Sequence, residues 1–499
     1  MQDGRRSSGA PGVTVGTATA PSLQPSPPLR RWFAILALTA GVVAALIVVD
    51  QEPGINIVIV GALMGAAVLM LAYARISSVD LAFGITGFVF LAMFAVRTSE
   101  WLLFLDLCAA AGLGSLAMSG GTTWAAIIKG GFAVLRRLHR GLGPVLAPMR
   151  EAWRGFDRVA KAPLLRGTLV GLLLAVAFGT LFASADQAFG QIARDLFVPE
   201  WDVGLVPARV LTALIIICFT GAYASVATVD STGSRWRWTS IPTATRERRL
   251  LQIPEWAIPI ALLNIVFAAF VAVQVTVLFG GRQHVLDTAG LTYAEYARSG
   301  FFQLVLIAGL VLGVIASTVR FGDQRAVRDR ALMRWLLGVL CLLTLIVLVS
   351  ALRRLGLYEE AYGFTSLRFF VHVTIFWLAA VFLVVMIAGA RWSAGWLPRT
   401  VVGLAAATLL VVNIINPEGF VAAQNIERFE RTGKIDTFYL ASLSPDAVPA
   451  LADLPAELRA CILTARSVGD DQLWSFNFSR QRARSVLASL SDDRAECRP

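Results

Sequence analysis

Side chains that can bind, titrate or hydrogen-bond are costly inside hydrocarbon, so those found in apolar runs face a bundle interior and often mark function. Five positions in this chain are of that kind: Asp106, Asn264, Gln274, Asn413 and Asn416. Asn413 and Asn416 are three apart and share a helical face. Asn264 and Gln274 fall about 80° from each other around a helix. An interhelical hydrogen bond is the alternative use of any one amide. Three further segments place tyrosine, glutamate and arginine beside apolar runs: LTYAEYARSGFF (291–302), LYEEAYGFTSLR (357–368) and INPEGFVAAQNIER (415–428). Together these residues could line one cleft able to hold a small polar or charged ligand, with Asn264, Gln274, Tyr293, Glu295, Tyr296, Arg298, Tyr358, Glu359, Arg368 and Asn416 as candidates. A purely structural use competes. Tyrosine and arginine anchor helices at an interface, and Glu295 and Arg298 can pair at i,i+3.

Reaction chemistry has little support. The chain holds no GxxxxGK[ST], HExxH or GxGxxG motif, so an ATP-driven pump is not expected. Glu359 and Glu360, with Arg368 and His372 downstream, hint at a glutamate-pair intramembrane protease, but the spacing misses EExxxR. Ser115 with His372 is a weak candidate serine–histidine pair, because small residues in membrane helices mostly serve packing. The GxxxG pairs at 61–65 and 309–313 carry the same packing meaning. The five cysteines show no paired spacing and the three histidines lie far apart, which argues against a zinc or CxxC centre. No cofactor and no metal is expected.

The elements that position these residues follow from composition. With 57% hydrophobic and 15% charged residues and a mean hydropathy of +0.68, the 499-residue chain reads as a polytopic membrane protein. Eleven continuous apolar runs are long enough to cross about 30 Å of hydrocarbon: 32–49, 55–74, 79–96, 101–118, 167–185, 206–229, 257–279, 301–319, 334–350, 368–390 and 400–417. Continuous rather than alternating apolarity specifies helices, so the fold class is an all-α transmembrane bundle. The first run is longer than a usual signal core and is followed at once by another span, which makes it a retained helix. With the N-terminus inside, the cytoplasmic segments hold about 26 Lys and Arg and the outer loops about six, the asymmetry that fixes orientation. It also accounts for much of the net charge of +11 without nucleic acid as a partner.

The resulting organisation is a disordered cytoplasmic tail (1–31), four transmembrane helices (32–118), a basic amphipathic cytoplasmic linker (119–166), seven further helices (167–417) and an extracytoplasmic helical segment (418–499). In the linker, Leu135, Leu138 and Leu142 form a stripe, with Arg136, Arg137 and Arg140 elsewhere on the helix; Trp153, Phe156 and Ala160 repeat the pattern, and Arg154 and Arg158 join the lipid-surface candidates. Such helices lie on anionic lipid headgroups. A solvated linker obeying the positive-inside rule is the alternative. In the last segment, SLSPDAVPALADL and LPAELRACILTARS read as short helices. Cys461 and Cys497 there are either bridged or two free thiols.

The stretches EWAIPIALLN (255–264), QVTVLFGG (274–281), TYAEYARSGFF (292–302), LYEEAYGFTSLRFFVH (357–372), Asn416–Pro417 and NIERFERTGKIDTFYLASLSPDAVPAL (425–451) resemble bacterial multi-pass membrane proteins of the domain-of-unknown-function 4173 family. That resemblance covers about residues 165–460 and leaves the first four spans unmatched. It implies a bacterial plasma-membrane helical bundle and brings no activity, substrate or cofactor. The expected role is transport or binding of a small molecule or lipid through the outer cleft. A non-catalytic envelope sensor or assembly scaffold is the second reading, and a membrane enzyme the third.

Overall fold

The computed structural model describes residues 26–72, 76–155, 171, 205–229, 251–279, 301–463, 468–469 and 472–490, with the backbone alone at 152–155, 275–279 and 301–302. The helices in chain order are α1 (Pro27–Ile47), α2 (Ile55–Ala72), α3 (Ser78–Ala92), α4 (Glu100–Ser119), α5 (Trp124–Gly131), α6 (Ala133–Arg137), α7 (Leu142–Gly155), α8 (Val206–Val229) and α9 (Ile253–Phe279). They continue with α10 (Phe301–Phe321), α11 (Val327–Tyr362), α12 (Ser366–Arg391), α13 (Leu397–Ile415), α14 (Pro417–Thr432), α15 (Thr437–Ser442), α16 (Val448–Leu451), α17 (Ala456–Leu463) and α18 (Phe478–Leu490). Among the described residues the fold is all-α, and the single backbone bridge pairs Leu251 with Gly322.

Ten of these helices, α1–α4 and α8–α13, are long and apolar enough to cross a membrane. This is a multi-pass membrane protein. The remaining expected span, 167–185, falls almost wholly outside the described residues.

Two groups of helices share the core. In the first, Phe33 and Ala37 of α1 meet Ala67 and Leu71 of α2, Val145 of α7 and Ala224 of α8. In the second, Trp256 of α9, Ala308 of α10, Leu340 and Leu348 of α11 and Phe382 of α12 are buried together. Helix α13 links α3 and α4 to α12, placing Ala406 against Phe90 of α3 and Leu113 of α4 and Val412 against Leu102 of α4 and Phe369 of α12. Outward-facing residues of the same helices, such as Leu38, Ile265, Leu310 and Val349, are exposed, as lipid contact requires.

Small residues set the closest approach. A Cβ built at Gly221 would overlap the Gly141 carbonyl, and one at Gly141 would overlap the Cys218 carbonyl, so the start of α7 rests directly on the backbone of α8. The GxxxG pairs are used unevenly. Gly61 accommodates Leu91, whereas Gly65, Gly309 and Gly313 have nothing within 4 Å.

Two boundaries differ from the sequence expectation. Residues 351–362 are not a loop: α11 runs 36 residues to Tyr362, about 54 Å at 1.5 Å per residue, because nothing breaks the helix before Gly363. Asn413 and Asn416 do not share a helix face. Pro417 disfavours the α conformation at the residue before it, and Asn416 turns to φ 60° and ψ 82° between α13 and α14. Asparagine tolerates that left-handed conformation better than most residues.

The last segment forms a helical cap. Ala422, Ile426, Leu440, Val448, Leu451, Ile462 and Ala483 make its own apolar core. The cap sits on one end of the bundle, over the α1–α2, α3–α4 and α11–α12 turns and the end of α13.

Candidate functional site at the capped end of the bundle

Helix ends leave backbone donors and acceptors without partners, and the cap, with Arg97 of the α3–α4 turn, supplies them with groups of opposite polarity. At the N-terminus of α4, Asp446 Oδ2 accepts from Thr98 N at 2.9 Å and Ser99 N at 3.0 Å. Glu418 Oε1 accepts from Ser99 Oγ at 2.7 Å and Trp101 Nε1 at 3.2 Å. Carboxylates suit the positive end of a helix dipole. At helix C-termini the cations appear. Arg97 Nε donates to Asn413 O at 2.8 Å at the end of α13, and Arg428 donates to Glu360 O at 3.1 Å and Ala361 O at 2.9 Å at the end of α11. Asn477 Nδ2 donates to Phe94 O and Arg97 O, each at 2.8 Å. Burial draws the Arg97 guanidinium below its ordinary value and Arg482 adds to this, while Asp446 and Asp106 oppose it.

Beneath the cap, the α11–α12 turn brings together several of the predicted residues. The Arg368 guanidinium lies over the Tyr358 ring, 4.1 Å from its centroid, and also donates to Gly363 O. Glu359 is buried at 2% exposure, in the last turn of α11. His372 Nδ1 faces Arg368 O at 3.2 Å and Glu359 Oε1 at 3.4 Å. One Nδ1–H cannot satisfy both; the shorter carbonyl contact takes it, and Glu359 Oε1 keeps no hydrogen bond of its own. Gly363 makes the turn possible at φ 82°. Asn425 brackets Phe364, accepting from its N at 3.0 Å and donating to its O at 2.9 Å. Tyr439 Oη accepts from Ser366 N at 2.8 Å. The arrangement is a chargeable, partly unsatisfied cluster of carboxylate, imidazole and guanidinium, able to exchange protons and to bind a polar group.

The other predicted residues fall elsewhere. Asn264 Nδ2 donates to Leu336 O at 3.0 Å, from α9 to α11. Gln274 Oε1 accepts from Ser350 Oγ at 2.9 Å between the same two helices. Asn416 donates to Asp446 O at 2.9 Å and its Oδ1 caps Gly419 N, which ties α13 to the cap. Tyr293, Glu295, Tyr296 and Arg298 lie outside the described residues, as does Arg158. Ser115 is engaged with Gly130 O and Val134 N at the far end of α4 and is remote from His372.

In the basic segment, Arg136 and Arg140 are exposed, whereas Arg137 donates to Ser225 O at 2.7 Å. Of Arg154 only the backbone is described. Sequence reasoning missed Asp446, Glu418, Arg97, Asn425 and Arg428 as partners of the turns. Their one local signal was the Ser-Pro-Asp and Asn-Pro-Glu helix starts, which announce a cap but not what it covers. No group of three potential metal ligands occurs among the described residues.

A family model, the domain of unknown function DUF4153, matches residues 83–454, well over half of the chain. The chain belongs to the DUF4153 family. This corrects the likeness to the 4173 family, which rested on aromatic and charged segments at helix ends. Any protein with many spans carries such segments at its interfaces. The DUF4153 match begins in α3 and ends in the cap, so Asp106, the α11–α12 turn and Asp446 all belong to the DUF4153 region. No curated protein and no solved structure matches the chain.

Proposed function

We propose that this DUF4153 protein binds, and moves across the bacterial plasma membrane, a small molecule or lipid headgroup that enters from the extracytoplasmic side at the α11–α12 turn. The observation that carries the reading is Glu359, a buried carboxylate short of hydrogen bonds, facing His372 and neighboured by Arg368 on Tyr358. Buried polar groups are as a rule paired, so a buried carboxylate short of partners beside an imidazole and a guanidinium supports a functional use. The disulfide at Cys461 supports placing the cap in an oxidising compartment, and the basic residues at the opposite end support a cytoplasmic N-terminus.

At that cytoplasmic end, Arg136 and Arg140 lie beside exposed Phe132 and Leu135, a pairing that supports contact with anionic headgroups. In a strain lacking the protein, the wild type restores the deletion phenotype. Glu359→Gln and Arg368→Ala, present in the membrane at wild-type amounts, do not. Full restoration by both variants overturns the proposal.

A scaffold is the second reading. The cap exposes Phe438 at 87% and Leu473 at 79%, large apolar side chains of the kind that seat an envelope partner. Crosslinking that recovers lipid alone, with no stoichiometric protein, counts against it.

A further inference from the structure

We propose that Asp106 and Asn413 form a proton-binding site within the membrane, in which one proton joins a carboxylic acid to an amide. Asp106 is fully buried and sits about 9 Å along α4 from Glu100, inside the apolar run. Asn413 Nδ2 donates to Asp106 Oδ1 at 2.8 Å and to Leu409 O at 3.0 Å. The second bond fixes the amide, since a flip would set an acceptor oxygen against the Leu409 carbonyl.

Two atoms are then left over. Asp106 Oδ2 and Asn413 Oδ1 are both buried without a hydrogen-bond partner among the described residues. Both are acceptors while Asp106 is ionised, so neither can satisfy the other. A proton on Asp106 Oδ2 turns one of them into a donor, and the unfilled acceptor across the pair is Asn413 Oδ1. Two reciprocal hydrogen bonds result, and no net charge remains on Asp106 in the hydrocarbon.

The surrounding charges do not provide an alternative. Arg97 directs its donors to the Asn413 and Ile414 carbonyls rather than to the carboxylate, with Asp446 and Arg482 behind it. Glu418 is held nearer the surface by Ser99 and Trp101. The remaining charged pair of α3 and α13, Asp80 with Arg399 at 3.2 Å, sits at the opposite ends of those helices. From α8 the Tyr223 hydroxyl is already committed to Ala111 O at 3.1 Å. A metal cation fits the place poorly, because Arg97 occupies the Asn413 carbonyl and presents like charge. Use of this proton to couple transport rests on the function proposed above; the site itself does not.

Infrared spectroscopy of the full chain in lipid nanodiscs at neutral pH tests it. The wild type should show the C=O stretch of a protonated carboxyl that Asp106→Asn lacks and Glu359→Gln leaves unchanged. Asn413→Leu should shift the frequency of that band without removing it. Asp106→Asn, which can keep both bonds as an amide pair, should melt with the wild type, whereas Asp106→Ala should melt lower. The proposal fails if Asp106→Asn removes no band, or if it destabilises as much as Asp106→Ala. It also fails if wild-type melting rises in sodium chloride over choline chloride while Asp106→Asn is indifferent, which would assign the site to a metal cation.

Discussion

Asp446→Ala should loosen the cap. The Asp446 carboxylate is 2% exposed and accepts from Thr98 N, Ser99 N and Ser479 Oγ. Removing it strands two backbone donors and a hydroxyl in a buried place, at about 1–3 kcal/mol each, with some relief where water enters. A loss of roughly 3–5 kcal/mol in the free energy of opening the α3–α4 turn follows. At about 1.4 kcal/mol per tenfold, amide exchange at Thr98 and Ser99 should accelerate by at least on the order of 100-fold. Hydrogen–deuterium exchange with peptide resolution reads this directly, and peptides of α9 and α10, distant from the cap, serve as the internal control. Asp446→Asn keeps one acceptor oxygen and should lie between. Exchange in Asp446→Ala within about threefold of wild type would refute the claim that this carboxylate docks the cap.

Other perturbations separate the packing arguments. Gly221→Ala pushes a methyl into the Gly141 carbonyl, with backbone on both sides, and should cost about 1–3 kcal/mol in detergent thermal unfolding. Gly65→Ala, with nothing within 4 Å, should cost nothing measurable. Gly363→Ala forces a side chain onto φ 82° and into Asn425 Oδ1 at 2.7 Å, for a loss of about 1–3 kcal/mol; the same melting measurement checks it. Finally, an impermeant reductant followed by an impermeant maleimide should label Cys461 in intact cells. Labelling only after permeabilisation would place the cap on the cytoplasmic side.

The spans were readable because a run of about 20 apolar residues has one economical fate in a bilayer. The polar singletons were readable too, and four of them, Asp106, Asn264, Gln274 and Asn413, prove to be hydrogen-bonded across helices. What could not be read is how the cap and the helix ends find their partners. Asp446 meets Thr98 across 348 positions of sequence, and Arg97 meets Asn413 across 316. Local pattern gives a helix start at Ser444 and a turn near Arg97, yet their pairing depends on which helix ends the bundle gathers at one face. The extension of α11 to Tyr362 was missed for a related reason. Arg353, Arg354 and Glu360 look like a loop by polarity, and only the absence of a breaker before Gly363 argues otherwise. The likeness to the 4173 family misleads because interfacial aromatics and charges recur in any multi-span protein and carry little lineage information.

We propose the Glu359, Arg368 and His372 cluster as the binding site. Native mass spectrometry of the purified protein measures it most directly. A small molecule or lipid should co-purify with the wild type and be lost from both Glu359→Gln and Arg368→Ala. An adduct retained equally by all three proteins, or a wild type that carries none under conditions preserving its function, would contradict it.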